Sequence, residues 1–145
     1  MFKKFVANVL AVMALVSLTS ASALASHSNF DDMLLYRGYV DNVAGFTTRD
    51  GTLFVWMEDG TVEVSGYDYS WSDEIERWTD IVDIKATWTG AIGLKADGTV
   101  VAVGSNNNNQ FNVASWRDIV QIEATSKHSF GLKRDGTVVE SGDYA

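Results

Sequence analysis

Across residues 81–103 apolar and polar positions alternate in the two-residue rhythm of strands. Ile81-Val82-Asp83-Ile84-Lys85-Ala86, Ala91-Ile92-Gly93-Leu94-Lys95 and Thr99-Val100-Val101-Ala102-Val103 are rich in β-branched residues, which predicts three antiparallel strands. Asp97-Gly98, between the last two, is the dipeptide of a two-residue type I′ hairpin, a turn that needs positive φ at both central positions. That turn predicts that Ala96 faces Thr99, Leu94 faces Val101 and Ile92 faces Val103, with Gly93, Val100 and Ala102 on the opposite face. Small or apolar residues on both faces imply a sheet covered on both sides. No segment keeps a helical apolar spacing over three turns.

The pattern returns at a fixed interval. Asp-Gly-Thr-Val occupies 59–62, 97–100 and 135–138, so the copies are equally spaced. Gly93-Leu94-Lys95-Ala96-Asp97-Gly98-Thr99-Val100-Val101 recurs as Gly131-Leu132-Lys133-Arg134-Asp135-Gly136-Thr137-Val138-Val139, and Trp78-Thr79-Asp80-Ile81-Val82 recurs as Trp116-Arg117-Asp118-Ile119-Val120. The first copy is worn, with Val40 where the others carry Trp and Trp56 where they carry Leu. In the outer copies the same register sets Leu132 against Val139, Phe130 against Ser141 and Trp56 against Glu63.

Three strands per period, with a short fourth expected near 111–113, make a blade-like unit. The expected fold is therefore all-β, a partial β-propeller of about three blades with antiparallel strands. The period divides the chain into 40–77, a degenerate first repeat, 78–115, a second, and 116–145, an incomplete third. Before them stand 1–25, a signal peptide, and 26–39, a lead-in where Met33-Leu34-Leu35-Tyr36 fits a strand or a short helix. A closed ring takes about four to eight blades, and an open arc exposes strand edges and apolar flanks. The expectation is that chains complete a propeller together as a homo-oligomer, or that the chain is a fragment of a longer one.

Segment 1–25 carries Lys3 and Lys4, an apolar stretch from Phe5 to Leu18 and the small-residue ending Ala23-Leu24-Ala25. The apolar stretch is shorter than the roughly 20 residues that cross a bilayer, so export with cleavage after Ala25 is expected, with an extracellular or cell-surface location and no membrane attachment. Cleavage takes the formal charge from -8 to -10, because two lysines and no acid are removed. That surface repels phosphates, which disfavours nucleic acid as a partner. The chain has no cysteine, so stability rests on burial and strand pairing.

The run Trp-x-Asp-Ile-Val-x-Ile-x-Ala, then Gly-Leu-Lys-x-Asp-Gly-Thr-Val-Val, then Gly and an Asn/Gln loop, resembles the regulator of chromosome condensation repeat over 78–142, and more loosely over 40–66. It is most similar to the short-repeat type of secreted bacterial proteins. His128 stands where that family often has His, and Asn109-Gln110 stands where it usually has Gly-Gln. The resemblance implies a rigid propeller, seven-bladed in most relatives, that binds proteins. Of two functions in the family, nucleotide exchange on a nuclear GTPase conflicts with export and acidity, while inhibition of β-lactamases by a secreted propeller is compatible with both.

Strand alternation puts the connection between a blade's first two strands at the same end as the loop leaving its third. That end collects Tyr67, Tyr69, Trp71 and Trp88 with Asn107, Asn108 and Lys127, the composition of a protein-binding surface. The competing reading is that these rings fold back between blades as packing. Trp78 and Trp116 recur in register and are structural, Asp80 and Asp118 after them cap or turn the chain, and residues 106–109 form a solvated loop. Two histidines and no cysteine imply neither a metal nor another cofactor, and no carboxylate is placed by sequence to orient His128. The expected function is a secreted, non-enzymatic propeller that binds a protein partner. The alternatives are a lectin-like carbohydrate module, a propeller hydrolase or lyase, and a remnant of a longer propeller.

Overall fold

The computed structural model describes residues 42–66 and 69–143, and from Ala44 onward these belong to one unit. Residues 1–25, expected as a signal peptide, the expected lead-in 26–39, Val40 and Tyr67 lie outside the described residues. Strands β1 (Val43–Arg49), β2 (Thr52–Met57) and β3 (Val62–Ser65) form one sheet. Helix α1 (Ser72–Ile75) follows, then β4 (Ile81–Ala86), β5 (Gly90–Lys95) and β6 (Val100–Gly104) form a second. A third contains β7 (Ile119–Ala124), β8 (His128–Lys133) and β9 (Val138–Gly142). Each sheet is a three-stranded antiparallel meander in sequence order, so the described residues form about three blades of a β-propeller. No strand forms at 111–113, where the chain turns, and the connection after β3 carries α1.

Two apolar seams join the sheets. Phe54, Trp56, Val62 and Val64 of the first meet Ile81, Ile84, Ala91 and Val103 of the second, with Ile75 of α1 between them. Ile92, Leu94 and Val100 on the other face of the second sheet meet Ile119 and Ile122 of the third, with Val113 and Trp116 from the connection. The middle sheet is thus covered on both faces, and each such side chain removed from water contributes about 1.5–3 kcal/mol. Glycine in the second strand makes room for the recurring tryptophan. A Cβ on Gly93 would stand 2.8 Å from the Trp78 ring, and one on Gly131 would stand 2.9 Å from that of Trp116.

The hairpin register differs from the expected one by a single position. Leu94 pairs with Val100, Ile92 with Ala102 and Ala91 with Val103. The outer copies shift alike, with Leu132 opposite Val138, Phe130 opposite Glu140 and Trp56 opposite Val62. The cause is local chemistry at the turn. Asp97 Oδ1 accepts both the Thr99 amide at 2.9 Å and the Thr99 hydroxyl at 2.6 Å, and only Gly98 takes positive φ, at 82°. The loop is therefore one position longer and carries a glycine bulge, closed by Lys95 N–H to Thr99 O at 2.9 Å. Asp59 with Thr61 and Asp135 with Thr137 repeat this carboxylate arrangement. The slip exchanges the faces of β6, so Val100 and Ala102 join Ile92 and Leu94 in one seam while Val103 and Val101 join the other. A turn with positive φ at both positions forms instead at Asp50-Gly51, between β1 and β2, with φ of 48° and 79°.

The Asp-Gly turns also fasten one blade to the next. Gly60 O accepts the amide of Ile81 at 3.0 Å, and Gly98 O accepts that of Ile119 at the same distance. Asp80 and Asp118, just before these donors, turn the chain with φ of 61° and 59°. A Cβ on Gly60 would lie 2.6 Å from Asp80 Cα, and one on Gly98 would lie 3.2 Å from Ile119 N, so the approach is backbone to backbone. At Gly136 the same position is open, with nothing within 4 Å of the missing Cβ.

Gly60→Ala is expected to lower the thermal midpoint far more than Gly136→Ala. The latter incurs only the penalty for a left-handed residue, about 1–2 kcal/mol, and the former adds a backbone clash; differential scanning calorimetry of both variants measures the gap. Hydrogen bonds from the Thr61, Thr99 and Thr137 side chains, then from their amides, hold the Asp59, Asp97 and Asp135 carboxyls below their ordinary value of 3.8. Their stabilisation is whole above the unfolded-state value and is lost as pH falls through the folded one. The triple variant Asp59→Asn, Asp97→Asn, Asp135→Asn should therefore show a shallower fall of thermal midpoint with acidification below pH 3.8 than the unaltered chain.

Candidate functional site

The end opposite the Asp59-Gly60, Asp97-Gly98 and Asp135-Gly136 turns is built from the β1–β2, β4–β5 and β7–β8 turns and the connections leaving β3 and β6. The β4–β5 turn is tightly held. Buried Thr87 donates its amide to Gly90 O at 2.7 Å and its hydroxyl to the same oxygen at 3.1 Å, and its hydroxyl oxygen accepts the Thr89 amide at 3.3 Å. Between them Trp88 stands 62% exposed, with the Arg49 guanidinium 4.3 Å from its ring centroid. The two come from adjacent blades, and Arg49 ends β1 beside the Asp50-Gly51 turn.

Gln110 organises the neighbouring loops. It is completely buried, and its Nε2 donates to Ser105 O at 2.8 Å, with Thr89 Oγ1 at 3.3 Å and Ser126 O at 3.4 Å, while Oε1 accepts the Asn108 amide at 3.0 Å. Ser105 N–H reaches Thr89 O at 2.7 Å, and the Thr89 hydroxyl reaches Ser126 O at 3.3 Å. One side chain thus ties together the loop leaving β6, the β4–β5 turn and the β7–β8 turn.

The asparagine run is more than a solvated loop. Asn106 Oδ1 accepts the Phe111 amide at 2.7 Å and Asn106 Nδ2 donates to Asn112 Oδ1 at 2.9 Å. Asn109 takes the left-handed conformation, φ 56°, so the turn made elsewhere with glycine forms here with asparagine. Asn109 Nδ2 donates to Asp143 Oδ2 at 2.9 Å, Asn109 O accepts the Ser141 hydroxyl at 2.6 Å, and Asn108 O accepts the Asp143 amide at 2.8 Å. The loop of the second repeat is thereby bound to the last strand of the third.

The sequence-derived candidates divide by burial. Tyr69 and Trp71 are half-buried against the first seam, with their rings stacked at 4.6 Å and Trp71 stacked on Phe54 at 6.0 Å. Trp88, Asn107 and Lys127 are exposed, and Asn108 is half-buried with its backbone engaged on both sides. Tyr67 lies outside the described residues. Arg49 and Gln110 are the residues that sequence reasoning missed, because the ring and the loops they bind are distant in the chain and meet them only across blades.

His128 does have a carboxylate. Its Nδ1 lies 3.0 Å from Glu140 Oε1, and its ring stacks on Phe130 at 6.2 Å. Once β8 pairs with β9 so that Phe130 faces Glu140, His128 and Glu140 are diagonal cross-strand neighbours, a relation the correct hairpin register would have exposed. Beside it the Ser129 hydroxyl is buried and lacks a hydrogen-bond partner among the described residues. Also among them, no three His, Asp or Glu side chains gather as a metal site would require.

No family model and no curated protein matches the chain. Solved structures do. Prp20p of Saccharomyces cerevisiae, described with its binding to Gsp1p and histones, is similar over 74% of this chain and 32% of its own, at 17% identity and a TM-score of 0.56. The structure of Kap60 bound to yeast RCC1 (Prp20) is similar over 70% of this chain and 30% of the other, at 16% identity and a TM-score of 0.53. The chain spans about a third of the length of these neighbours. The likeness shows a fold of the RCC1 propeller kind.

Replacing Gln110 with Leu would leave the Ser105 carbonyl without its donor and the Asn108 amide without its acceptor, at a cost of about 1–3 kcal/mol for each group left unsatisfied. Asn107→Ala, at an exposed position, should stay within about 0.5 kcal/mol of the parent. Urea unfolding of the two variants distinguishes a structural hub from a surface residue.

Proposed function

We propose that the chain is an exported, non-enzymatic β-propeller repeat protein that binds a protein partner through the end carrying Trp88. The observation that carries this reading is the exposed indole on a rigid turn: Trp88 is 62% exposed while Thr87 and Thr89 beside it are pinned by hydrogen bonds. Such a ring adds little to folding but is pre-organised for association, and large aromatic anchors with arginine neighbours dominate binding energies at protein interfaces. Arg49 and Lys127 supply positive charge at this end of a chain whose net charge is -8. Association with proteins is also what the neighbouring yeast structures are described with.

Tyr69 and Trp71 act in this reading from beneath, as packing that holds the loop leaving β3. The signal-like segment 1–25 supports a partner met after export. Carbohydrate is the weaker ligand, because the Arg49 guanidinium already lies over the exposed indole ring.

A photo-crosslinking residue at Asn107 should capture a protein from the surrounding medium, and the affinity measured for that partner should fall about 30-fold in Trp88→Ala, the loss of an anchor worth about 2 kcal/mol. The thermal midpoint of this variant should be unchanged, whereas Trp71→Ala should lower it. Trapping of glycans alone, or undiminished affinity in Trp88→Ala, would overturn the proposal.

A further inference from the structure

Asp-Gly-Thr occurs four times, at 50–52, 59–61, 97–99 and 135–137, and the fold sets one copy apart. In the other three, both groups that react when an aspartyl-glycyl pair isomerises are tied. The amides of Gly60, Gly98 and Gly136 donate to the carbonyls of Met57, Lys95 and Lys133, each at 2.9 Å. The carboxylates of Asp59, Asp97 and Asp135 each accept the amide and the hydroxyl of the threonine two residues on. Gly60 and Gly98 are buried as well. The threonine bonds also hold these three carboxyls below their ordinary value, so less of each is in the protonated form that can lose its hydroxyl as water.

Asp50-Gly51 differs in both groups. It forms the two-residue turn between β1 and β2, with positive φ at both positions, and such a turn leaves the amide of its second residue outside the strand ladder. Among the described residues no acceptor holds the Gly51 amide. Both residues are exposed, and nothing lies within 4 Å of the missing Gly51 Cβ. Thr52 is buried at the start of β2, and the Asp50 carboxylate is bonded instead by its sequence neighbour, Arg49 Nε to Oδ2 at 3.1 Å. An ion pair this open to solvent contributes about 0–1 kcal/mol, a weak restraint on the carboxylate.

We propose that Asp50-Gly51 is a site of spontaneous isomerisation to isoaspartate, and that folding confines this modification to that turn. The Gly51 amide nitrogen attacks Asp50 Cγ and gives up its proton. A nitrogen–Cγ bond forms, the carboxyl hydroxyl leaves with a proton as water, and a succinimide ring joins the two residues. Water then adds to the Asp50 main-chain carbonyl and breaks its bond to nitrogen. Gly51 is left attached through Cβ and Cγ, and the former main-chain carbonyl becomes an α-carboxylate. One water is released and one consumed, so mass is unchanged and no oxidant or reductant takes part. The product adds Cβ of Asp50 to the main chain beside Arg49, whose guanidinium lies over the Trp88 ring. The reaction itself does not depend on the proposed partner binding at that end.

The four identical tripeptides are their own control. The native chain and a sample unfolded in guanidinium chloride are aged side by side at neutral pH, and peptide mapping with electron-transfer fragmentation follows isoaspartate at each of the four sites. In the native chain isoaspartate should form at Asp50 at least about tenfold faster than at Asp59, Asp97 or Asp135, where reaction must await local opening of the bonded turn. In the unfolded chain, where no turn is protected, the four rates should agree within about threefold. Two results overturn the proposal. One is a native chain in which Asp50 isomerises no faster than the other three. The other is a lead of Asp50 that persists undiminished in the unfolded chain, which would assign it to neighbouring residues in the sequence instead of to the fold.

Discussion

A three-stranded sheet with apolar side chains on both faces is stable in water only when both faces are covered, and the seams between consecutive sheets supply that cover here. The middle sheet shows this most directly, with Ala91 and Val103 in one seam and Ile92, Leu94 and Val100 in the other. Area burial is non-directional and does not by itself set how the sheets are aligned. Alignment comes from the amides of Ile81 and Ile119 bonding to the carbonyls of Gly60 and Gly98, which lock each blade to the turn of the one before. Glycine is needed because a Cβ on Gly60 would meet the backbone of Asp80.

The two ends of the blades have separate tasks as a consequence. The Asp59-Gly60 and Asp97-Gly98 turns are committed to joining blades, each with a carboxylate occupied by a threonine. The opposite end carries sequence that differs from repeat to repeat: an Asp-Gly hairpin in the first, an exposed tryptophan in the second and Lys127 in the third. Gln110 makes this variable end firm by hydrogen bonding to three loops at once, its Nε2 donating to Ser105 O, Thr89 Oγ1 and Ser126 O. A rigid frame with divergent loops favours recognition, since little ordering entropy is lost when a partner binds.

Strand alternation, the equal spacing of the repeats and the Asp-Gly signals were legible because each depends on a short stretch of neighbouring residues. The all-β class and the count of about three blades follow from them. The hairpin register was misjudged from the same residues. Asp-Gly alone reads as a type I′ turn, and the threonine after it, whose amide and hydroxyl both bond the aspartate, selects the longer loop. That single slip reversed the faces of β6 and hid the diagonal pairing of His128 with Glu140.

At the loop end, composition identified aromatic and polar residues but not their orientation. Tyr69 stacks on Trp71 and Trp71 on Phe54 while Trp88 remains in water, and nothing in their sequence surroundings distinguishes them, because the difference lies in which parts of the fold cover each ring. The order of residues was enough for the strands, their period and the positions of the turns, all of which arise from local backbone preference and side-chain alternation. Stacking of the sheets was needed to settle the register, the buried role of Gln110, the pairing of Arg49 with Trp88 and the exposure of Val138 and Phe46. Each of these depends on contacts between residues far apart in the chain, or on the absence of a neighbour, and such distances are fixed only when the blades come together.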